Sequence, residues 1–337
     1  MDGGGHVSPR QRARSRRAAW TSILLAAMTA AALTAGCTRH DPGTGNPPHH
    51  TRTPAPTPAP THSVAPAGSP LAVKIDNVSA ARPQTGLDAA DVVYAEQVEG
   101  GLSRLMAVYA TKLPRTVGPV RSARESDLEL LRQFDRPYLA FSGAQHKLLP
   151  LIDKAPLRAE SPDEAPRAYY RGAGKPAPHN LYVHPSALLS STPGKGALTT
   201  GFHYGPVPSG GTRATSRTVR YPAARFTFTW SAGRGGWLVS MDGTPTVTTS
   251  GVRVAPPTVV VQYVKIRTSG YHDVLGNHTP YTETVGSGKA EVLRGGRSFA
   301  ATWSRPTATA GTAFTTTDGS PLNFAAGQVW VVFAARR

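Results

Sequence analysis

The spacing of apolar and polar positions divides the chain into two regions of different character. Over residues 70–205, short apolar runs typical of strands, such as "LAVKIDN" and "PYLAFSG", are mixed with stretches of helical spacing. The runs "VVYAEQVE" and "SRLMAVYAT" flank Gly100 and Gly101, which predicts a β-hairpin. We therefore expect an α+β fold, with a mixed α/β N-terminal domain over 70–205.

From about Thr212 onward the apolar runs are short and strand-like, and turns such as "MDGT" and "TDGS" separate them. No helical period occurs in this region. This predicts an all-β C-terminal domain over 212–337, sandwich or barrel-like, after a boundary rich in Gly, Pro, Ser and Thr. Tryptophans in such domains are mostly core residues, so we expect the core to contain Trp230, Trp237, Trp303 and Trp330.

One helix of the first domain has a recognisable start. Ser122 followed three residues later by Glu125 is typical of a capping box, and apolar residues then recur at helical spacing. The predicted helix begins at Ser122, with Arg121 just before it and Arg124 in its first turn. Because a helix N-terminus is already positive, two arginines there raise the question of which anion they face.

The beginning of the sequence predicts export. The basic run "RQRARSRR" leads into the apolar stretch "AAWTSILLAAMTAAALTAG", which is typical of a signal peptide over residues 1–36. Cys37 closes "LTAGC" and resembles the lipobox of bacterial lipoproteins, in which the thiol is lipidated and becomes the new N-terminus. We expect a diacylglyceryl anchor on Cys37 in the cytoplasmic membrane; an ordinary cleaved signal with an incidental cysteine is the alternative.

The composition of residues 37–69 predicts a stalk between this anchor and the folded part. Their alternating Pro, Ala and Thr cannot bury apolar surface and favour extended polyproline II. The folded part therefore begins near Pro70.

The net charge and the cysteine count exclude several classes of function. The formal net charge of +17 becomes +13 without residues 1–36, which hold five Arg and one Asp. An exported protein of this charge meets anionic lipid head groups and wall polymers, so nucleic acid is not an expected partner. The single cysteine excludes disulfides and thiol catalysis from the folded part. We expect no cofactor and no metal, since His179 and His184 would point to opposite faces of a strand.

The candidate site consists of polar residues at strand ends, turns and the helix start, where a scaffold usually presents binding groups. We expect Glu99 and Arg104 to pair across the hairpin. Two interpretations stay open: carboxylates neutralise the arginines in a structural network, or the arginines bind a phosphate or carboxylate ligand. The candidate ligand-binding residues are Asp76, Asn77, Glu99, Arg104, Arg121, Ser122, Arg124, His179 and Asn180.

Several stretches resemble the YerB-like bacterial lipoproteins. In the first domain they are "LAVKIDN", "ARPQTGLDAADVVYAEQVEGGLSRLMAVY", "VGPVRSAR" and "APHNLYV". In the second they are "VVVQYV", "GSGKAEVLRGGRSFAATWSRP" and "DGSPLNFAAGQVWVVF". The resemblance implies a membrane-anchored extracytoplasmic protein of two domains, and it implies no reaction.

Three functions follow from these observations. The first is binding of an anionic envelope ligand at the outer face of the membrane: a wall polymer, a peptidoglycan fragment or a phosphorylated lipid head. The second is an enzyme acting on envelope material with His179, Glu99 or Asp76 as acid or base, although no catalytic residue is assigned. The third is a scaffold that docks an envelope protein.

Overall fold

A computed structural model describes residues 68–273 and 276–336 of the chain. The predicted signal peptide, the predicted lipidation site Cys37 and the predicted stalk up to residue 67 lie outside the described residues. The described part contains nineteen strands and two short α-helices. Neither helix has the length and hydropathy needed to span a membrane.

The elements of the first half surround a predicted hairpin that is confirmed as β2 and β3. The strands are β1 (Leu71–Asp76), β2 (Val92–Gln97), β3 (Ser103–Tyr109), β4 (Tyr138–Ala140), β5 (Arg158–Glu160), β6 (Tyr169–Arg171) and β7 (Leu181–Val183). The helices are α1 (Glu125–Leu131), between β3 and β4, and α2 (Leu149–Lys154), between β4 and β5.

The second half contributes only strands and one single-turn helix among its described residues. They are β8 (Thr212–Arg213), β9 (Ser216–Arg220), β10 (Arg225–Ser231), β11 (Gly236–Met241), β12 (Thr244–Pro245), β13 (Thr258–Val264), β14 (Ile266–His272), β15 (His278–Thr282), β16 (Gly286–Arg294), β17 (Arg297–Arg305), β18 (Ala313–Thr315) and β19 (Val329–Ala335).

One mixed sheet runs through both halves, in the order β18-β17-β16-β13-β19-β2-β3-β1-β4-β5, with β8 beside β17. At its centre, β19 pairs in parallel with β13 and with β2. Successive residues of β19 are apolar because both faces are covered, as in parallel sheets generally. The mixed sheet is thus confirmed, whereas a division into an α/β and a separate all-β domain is not. No described sheet closes, so the barrel-like alternative is wrong.

A second sheet, in the order β12-β11-β10-β9, covers one face of the large sheet. Phe226 and Phe228 of this small sheet meet Trp330 of β19 edge-on, with ring centroids 6.3 and 6.1 Å apart. These aromatic side chains form the centre of that core layer. The predicted core position is confirmed for the fully buried Trp237, Trp303 and Trp330, and Trp230 is half-buried beside Trp237.

The two helices cover the opposite face of the large sheet. Leu130 and Leu131 of α1 and Ile152 of α2 belong to the same core cluster as Met106 of β3. The stretch "AQHKLLPLIDKA" has helical spacing, and the structure divides it: a single 3-10 turn precedes α2, and Pro150 lies in the first turn of α2. A proline fits there because first-turn N–H groups have no partner within the helix.

Helix α1 begins three residues after the predicted start. Arg124 is its N-cap residue, and its N–H donates to Asp127 Oδ2 at 2.7 Å. The chain before Arg124 is already engaged elsewhere: the N–H of Arg121 donates to Lys74 O at 2.8 Å, and that of Ala123 donates to Gly143 O at 3.0 Å. These bonds hold residues 121–123 extended, so the capping box predicted at Ser122 is wrong.

A buried ionic cluster joins α1 to the sheet. Lys74 of β1 is fully buried and donates to Glu96 of β2 and, at 2.6 Å, to Asp127 of α1. Burial lowers the pKa of Lys74 to about 8; Asp127 opposes this shift, and the neighbouring Arg104 and Arg124 add to it. The two carboxylate partners of the ammonium group fix the position of the helix start.

Arg305 of β17 closes the other end of α1. It is fully buried, and its Nη2 donates to the carbonyl oxygens of Glu129 (2.8 Å), Leu130 (3.2 Å) and Ala308 (2.6 Å). Carbonyls in the last turn of a helix lack the usual helical donors, and the guanidinium group adds to the bonds that Glu129 O accepts from the Arg132 N–H and Leu130 O accepts from Gln133 Nε2. Glu129 in turn accepts from the hydroxyl of Tyr281 at 2.9 Å, which attaches the β14–β15 hairpin to α1.

Lys74→Met should lower the free energy of unfolding by about 3–5 kcal/mol, because it leaves two buried carboxylates without their cation. Denaturant unfolding of the purified protein measures this change. The triple variant Lys74→Met, Glu96→Gln, Asp127→Asn should recover most of the loss, since it removes the unpaired charges as well. A loss below about 1 kcal/mol in the single variant would contradict a dependence of the fold on this cluster.

Arg305→Met should lower the free energy of unfolding by about 2–4 kcal/mol, because the fully buried side chain bonds Ala308 O, Ala310 O and the Thr284 hydroxyl as well as the end of α1. Arg213→Met, at an exposed arginine of β8, is the matched control and should change stability by less than about 0.5 kcal/mol. Equal effects of the two substitutions in denaturant unfolding would show that the contacts of Arg305 with α1 are not important.

Candidate functional site

Charged side chains converge at one end of the large sheet, on the face that α1 covers. The strand register sets Arg104 of β3 directly opposite Asp76 of β1 and Glu96 of β2. Opposed residues of antiparallel neighbours share a face, so the guanidinium group lies between two carboxylate-bearing strands. The predicted partner of Arg104 across the hairpin, Glu99, is wrong: Glu99 follows the end of β2, in the turn of residues 99–101.

Arg121 and His179 share one carboxylate oxygen. Asp76 Oδ2 lies 3.0 Å from Nε of Arg121 and 2.8 Å from Nδ1 of His179. Asp76 is buried, and the contact with Arg121 satisfies the requirement that a buried charge be paired. Within the described residues, the two terminal nitrogens of Arg121 make no protein hydrogen bond, so its outer donors are available.

Arg124 holds Glu99 from two directions. Its Nε lies 2.6 Å from Glu99 Oε1, and its Nη2 donates to Glu99 Oε2 at 2.6 Å. The hydroxyl of Thr279, from β15, donates to Oε1 at 2.5 Å. Burial alone would raise the pKa of Glu99, but the bonds from Arg124 and Thr279 outweigh it and lower the pKa below its ordinary value. Asp76 and Glu99 thus neutralise two of the three arginines.

Arg104 differs from its neighbours because it has no ionic partner. Its Nη1 donates to the carbonyl oxygen of Ser122 at 2.9 Å, and within the described residues no carboxylate oxygen lies within 4 Å of it. The residue is only 9% exposed. Burial, followed by the charges of Arg124 and Arg121, lowers the pKa of Arg104 to about 9. The charges of Glu99 and Asp76 oppose this shift, so the fold holds a desolvated cation near charges of both signs.

The carboxylates of this ionic network are shared unevenly among its four cations. Lys74 takes two carboxylates, which leaves Arg104 with none. Arg104 is therefore the one of these four cations without a carboxylate contact among the described residues. The four cations are Lys74, Arg104, Arg121 and Arg124, and the four carboxylates are Asp76, Glu96, Glu99 and Asp127.

A pocket of about 580 Å³ opens beside Arg104, and we call it the arginine cleft. Its apolar wall includes Leu102 and Leu148, and the β14–β15 hairpin contributes Tyr271 and His272. The volume lies within the range typical of sites for small ligands. The polar lining residues are Glu99, Arg104, Arg121, Ser122, Arg124, Glu125, Gln145 and Thr279, together with Asp273.

Five predicted site residues line the arginine cleft: Glu99, Arg104, Arg121, Ser122 and Arg124. Asp76 and His179 do not line it. Asp76 contacts Arg121, and His179 contacts Asp76.

The two predicted asparagines serve the fold at other places. Asn77 is buried and donates to Ser103 Oγ at 2.9 Å. Asn180 braces the β6–β7 hairpin, accepting from Arg171 at 2.8 Å and donating to Gly172 O at 3.0 Å. Neither lines the arginine cleft.

Sequence reasoning missed several residues that shape the cleft. Lys74 could have been found, because a lysine inside the apolar strand "LAVKID" needs a buried partner. Asp127 could also have been found as the N3 acceptor of a helix capped at Arg124. Nothing local predicts Thr279, which reaches Glu99 from a hairpin 180 residues further along the chain.

Two acceptor atoms in the cleft wall have no donor. Glu125 Oε2 and Gln145 Oε1 are each buried and, in the described part of the chain, make no hydrogen bond. The pKa of Glu125 is raised by burial and by the neighbouring Glu129, with Arg267 acting in the opposite direction. A buried acceptor without a donor costs free energy, so both atoms are open to a ligand.

Two family models match the chain. The model described as "Protein of unknown function (DUF3048) N-terminal domain" matches residues 57–198, and the corresponding "C-terminal domain" model matches residues 217–331. A curated Bacillus subtilis (strain 168) protein named "Putative lipoprotein YerB" is 32% identical over 127 residues. That match covers 38% of this chain and 38% of the relative, well under two thirds of its length.

The crystal structure of the YerB protein from Bacillus subtilis has a similar fold. The TM-score is 0.66 at 20% sequence identity, and the similarity covers 80% of this chain and 91% of that one. At this identity the similarity concerns the fold alone. The two family models, the curated relative and the shared fold agree, and we conclude that the chain belongs to the YerB-like family and carries both of its domains.

Proposed function

We propose that this protein is a membrane-anchored lipoprotein that binds an anionic envelope ligand in the arginine cleft. The observation that carries the proposal is Arg104: a desolvated cation at the wall of a pocket, with no carboxylate within 4 Å among the described residues. An anion in the cleft would neutralise this charge. It would also relieve the repulsion between Arg104 and its two arginine neighbours.

The free donors of the cleft support a ligand with several acceptor oxygens. Arg104 uses one terminal nitrogen for Ser122 O, and Arg121 uses Nε for Asp76, so both side chains keep further N–H groups. Guanidinium groups match phosphate and carboxylate in geometry as well as charge. In a pocket partly shielded from water, these bonds are stronger than on an open surface.

Arg124 and the start of α1 have a supporting part in this proposal. Both Glu99 oxygens lie within 2.6 Å of Arg124, and Asp127 accepts the N–H of the N-cap residue. Arg124 is therefore neutralised by Glu99 within the protein, and this ion pair holds both side chains in the wall of the cleft. The anion faced by Arg121 and Arg124 is in the first place internal: Asp76 and Glu99.

The location at the membrane rests on the family and on Cys37. The relative in Bacillus subtilis is named a lipoprotein, and Cys37 follows an apolar segment in the manner of a lipobox. We propose that lipidated Cys37 anchors the protein to the outer face of the cytoplasmic membrane. The Pro-rich residues after it would then present the cleft to lipid head groups and wall polymers.

Arg104→Gln should weaken binding of inorganic phosphate and of purified anionic wall polymer at least tenfold, about 1.4 kcal/mol. Isothermal titration calorimetry at low ionic strength measures the affinity. The variant should keep or gain thermal stability, because a lowered pKa means that the fold disfavours the charged form of Arg104. Loss of both binding and stability would assign Arg104 a structural role.

The matched control is Arg220→Gln, at an exposed arginine of β9 in a different basic groove that Lys289 and Arg336 also line. The same charge is removed there, so a general effect of net charge would appear equally in both variants. Binding lost in Arg220→Gln and kept in Arg104→Gln would move the ligand to that groove and contradict the proposal.

A further inference from the structure

The wall of the arginine cleft combines a buried arginine that has no ionic partner among the described residues with unsatisfied acceptors. Arg104 supplies the charge, and Glu125 Oε2 and Gln145 Oε1 supply the acceptors, each buried and without a donor in the described residues. A simple anion could meet only the first of these features. A ligand that satisfies both must carry negative charge and hydrogen-bond donors in one small molecule or repeating unit.

The donors of such a ligand are hydroxyl groups rather than ammonium groups. Arg104, which has no ionic partner among the described residues, lines the same pocket and would repel a ligand ammonium group. A hydroxyl group is neutral and donates one hydrogen bond to each acceptor it meets. Sugars and polyols carry several such groups at spacings comparable to those between neighbouring side chains.

The anionic group is better matched by phosphate than by carboxylate. Arg104 comes from β3 and Arg121 from the segment before α1, and both have donors left after their internal contacts. A carboxylate offers two oxygens in one plane, whereas a phosphate ester offers non-bridging oxygens that point in different directions. Phosphate can therefore accept from guanidinium groups that approach from two elements.

We infer that the ligand of the arginine cleft is a polyol phosphate, a phosphate ester whose organic part carries free hydroxyl groups. This inference rests on the proposed function and specifies its ligand class. The phosphate lies against Arg104 and Arg121, and hydroxyl groups donate to Glu125 and Gln145. The cleft volume of about 580 Å³ accommodates one phosphorylated polyol or sugar unit.

The first experiment compares glycerol 3-phosphate with methyl phosphate on the full chain by titration calorimetry. Both probes carry a phosphate monoester, and only the first carries hydroxyl groups. We expect glycerol 3-phosphate to bind at least tenfold more tightly. Equal affinities for the two probes would overturn the inference and leave anion binding in place. If neither probe binds, the proposed function fails as well.

Variants then assign the preference to the two acceptors. Glu125→Ala and Gln145→Leu should each reduce the affinity ratio of the two probes by about threefold or more. The loss of the Glu125 charge alters both affinities alike and cancels in this ratio. Asp153→Ala, at an exposed carboxylate of α2, is the control and should leave the ratio unchanged. An unchanged ratio in both cleft variants would overturn the assignment.

Arg104→Gln separates the two levels of the hypothesis. It should weaken both probes by the same factor, since it removes the contact with phosphate and not the contacts with hydroxyl groups. If Arg104→Gln leaves methyl phosphate binding intact while Glu125→Ala lowers the ratio, the cleft binds polyols without the proposed anion contact, and the proposed function is wrong.

Two sources share this chemistry: the head group of phosphatidylglycerol and a polymer of glycerol phosphate. Cosedimentation with phosphatidylglycerol vesicles, compared with phosphatidic acid vesicles, tests the lipid source. Competition of glycerol 3-phosphate by the soluble polymer tests the other. Tighter binding to phosphatidylglycerol than to phosphatidic acid vesicles, or competition by the polymer, supports the inference. Equal binding to both vesicle types together with no competition by the polymer contradicts it.

Discussion

The fully buried ammonium group of Lys74 is the interaction on which the arrangement of the cleft depends. A charge without water must have partners, and the partners of Lys74 come from β2 and from α1. Asp127 then fixes the N–H of Arg124 at the start of the helix. A single buried cation thus ties the start of α1 to β1 and β2, and Arg124 at that start holds Glu99.

Neutralisation within the protein distinguishes the three arginines from one another. Arg121 and Arg124 are bound by Asp76 and Glu99, and Glu96, the carboxylate opposite Arg104, is turned toward Lys74. Arg104 donates to the carbonyl oxygen of Ser122 and otherwise faces the cleft. Such an arrangement resembles a preorganised anion site, because the cost of assembling like charges is met by folding before any ligand arrives.

Local patterns predicted the strands well and the long-range pairings poorly. The apolar run "LAVKID" and the glycines after "VVYAEQVE" are sufficient for β1 and the β2–β3 hairpin. The start of α1 was missed because bonds from residues 121 and 123 to distant segments override the local capping signal. The pairing of β19 with β2, and the approach of Thr279 to Glu99, depend on tertiary contacts that no short stretch encodes.

The position of β19 has a consequence for the order of assembly. Val329 pairs with Val92, so the sheet that carries the cleft cannot be completed until a strand from far along the chain has been made and delivered. Pairings over such sequence separations are slow to form, because loop-closure entropy must be overcome first. For a chain that crosses a membrane from its N-terminus, Arg104 would stay solvated and unorganised throughout transit. The proposed binding surface would then form only on the far side.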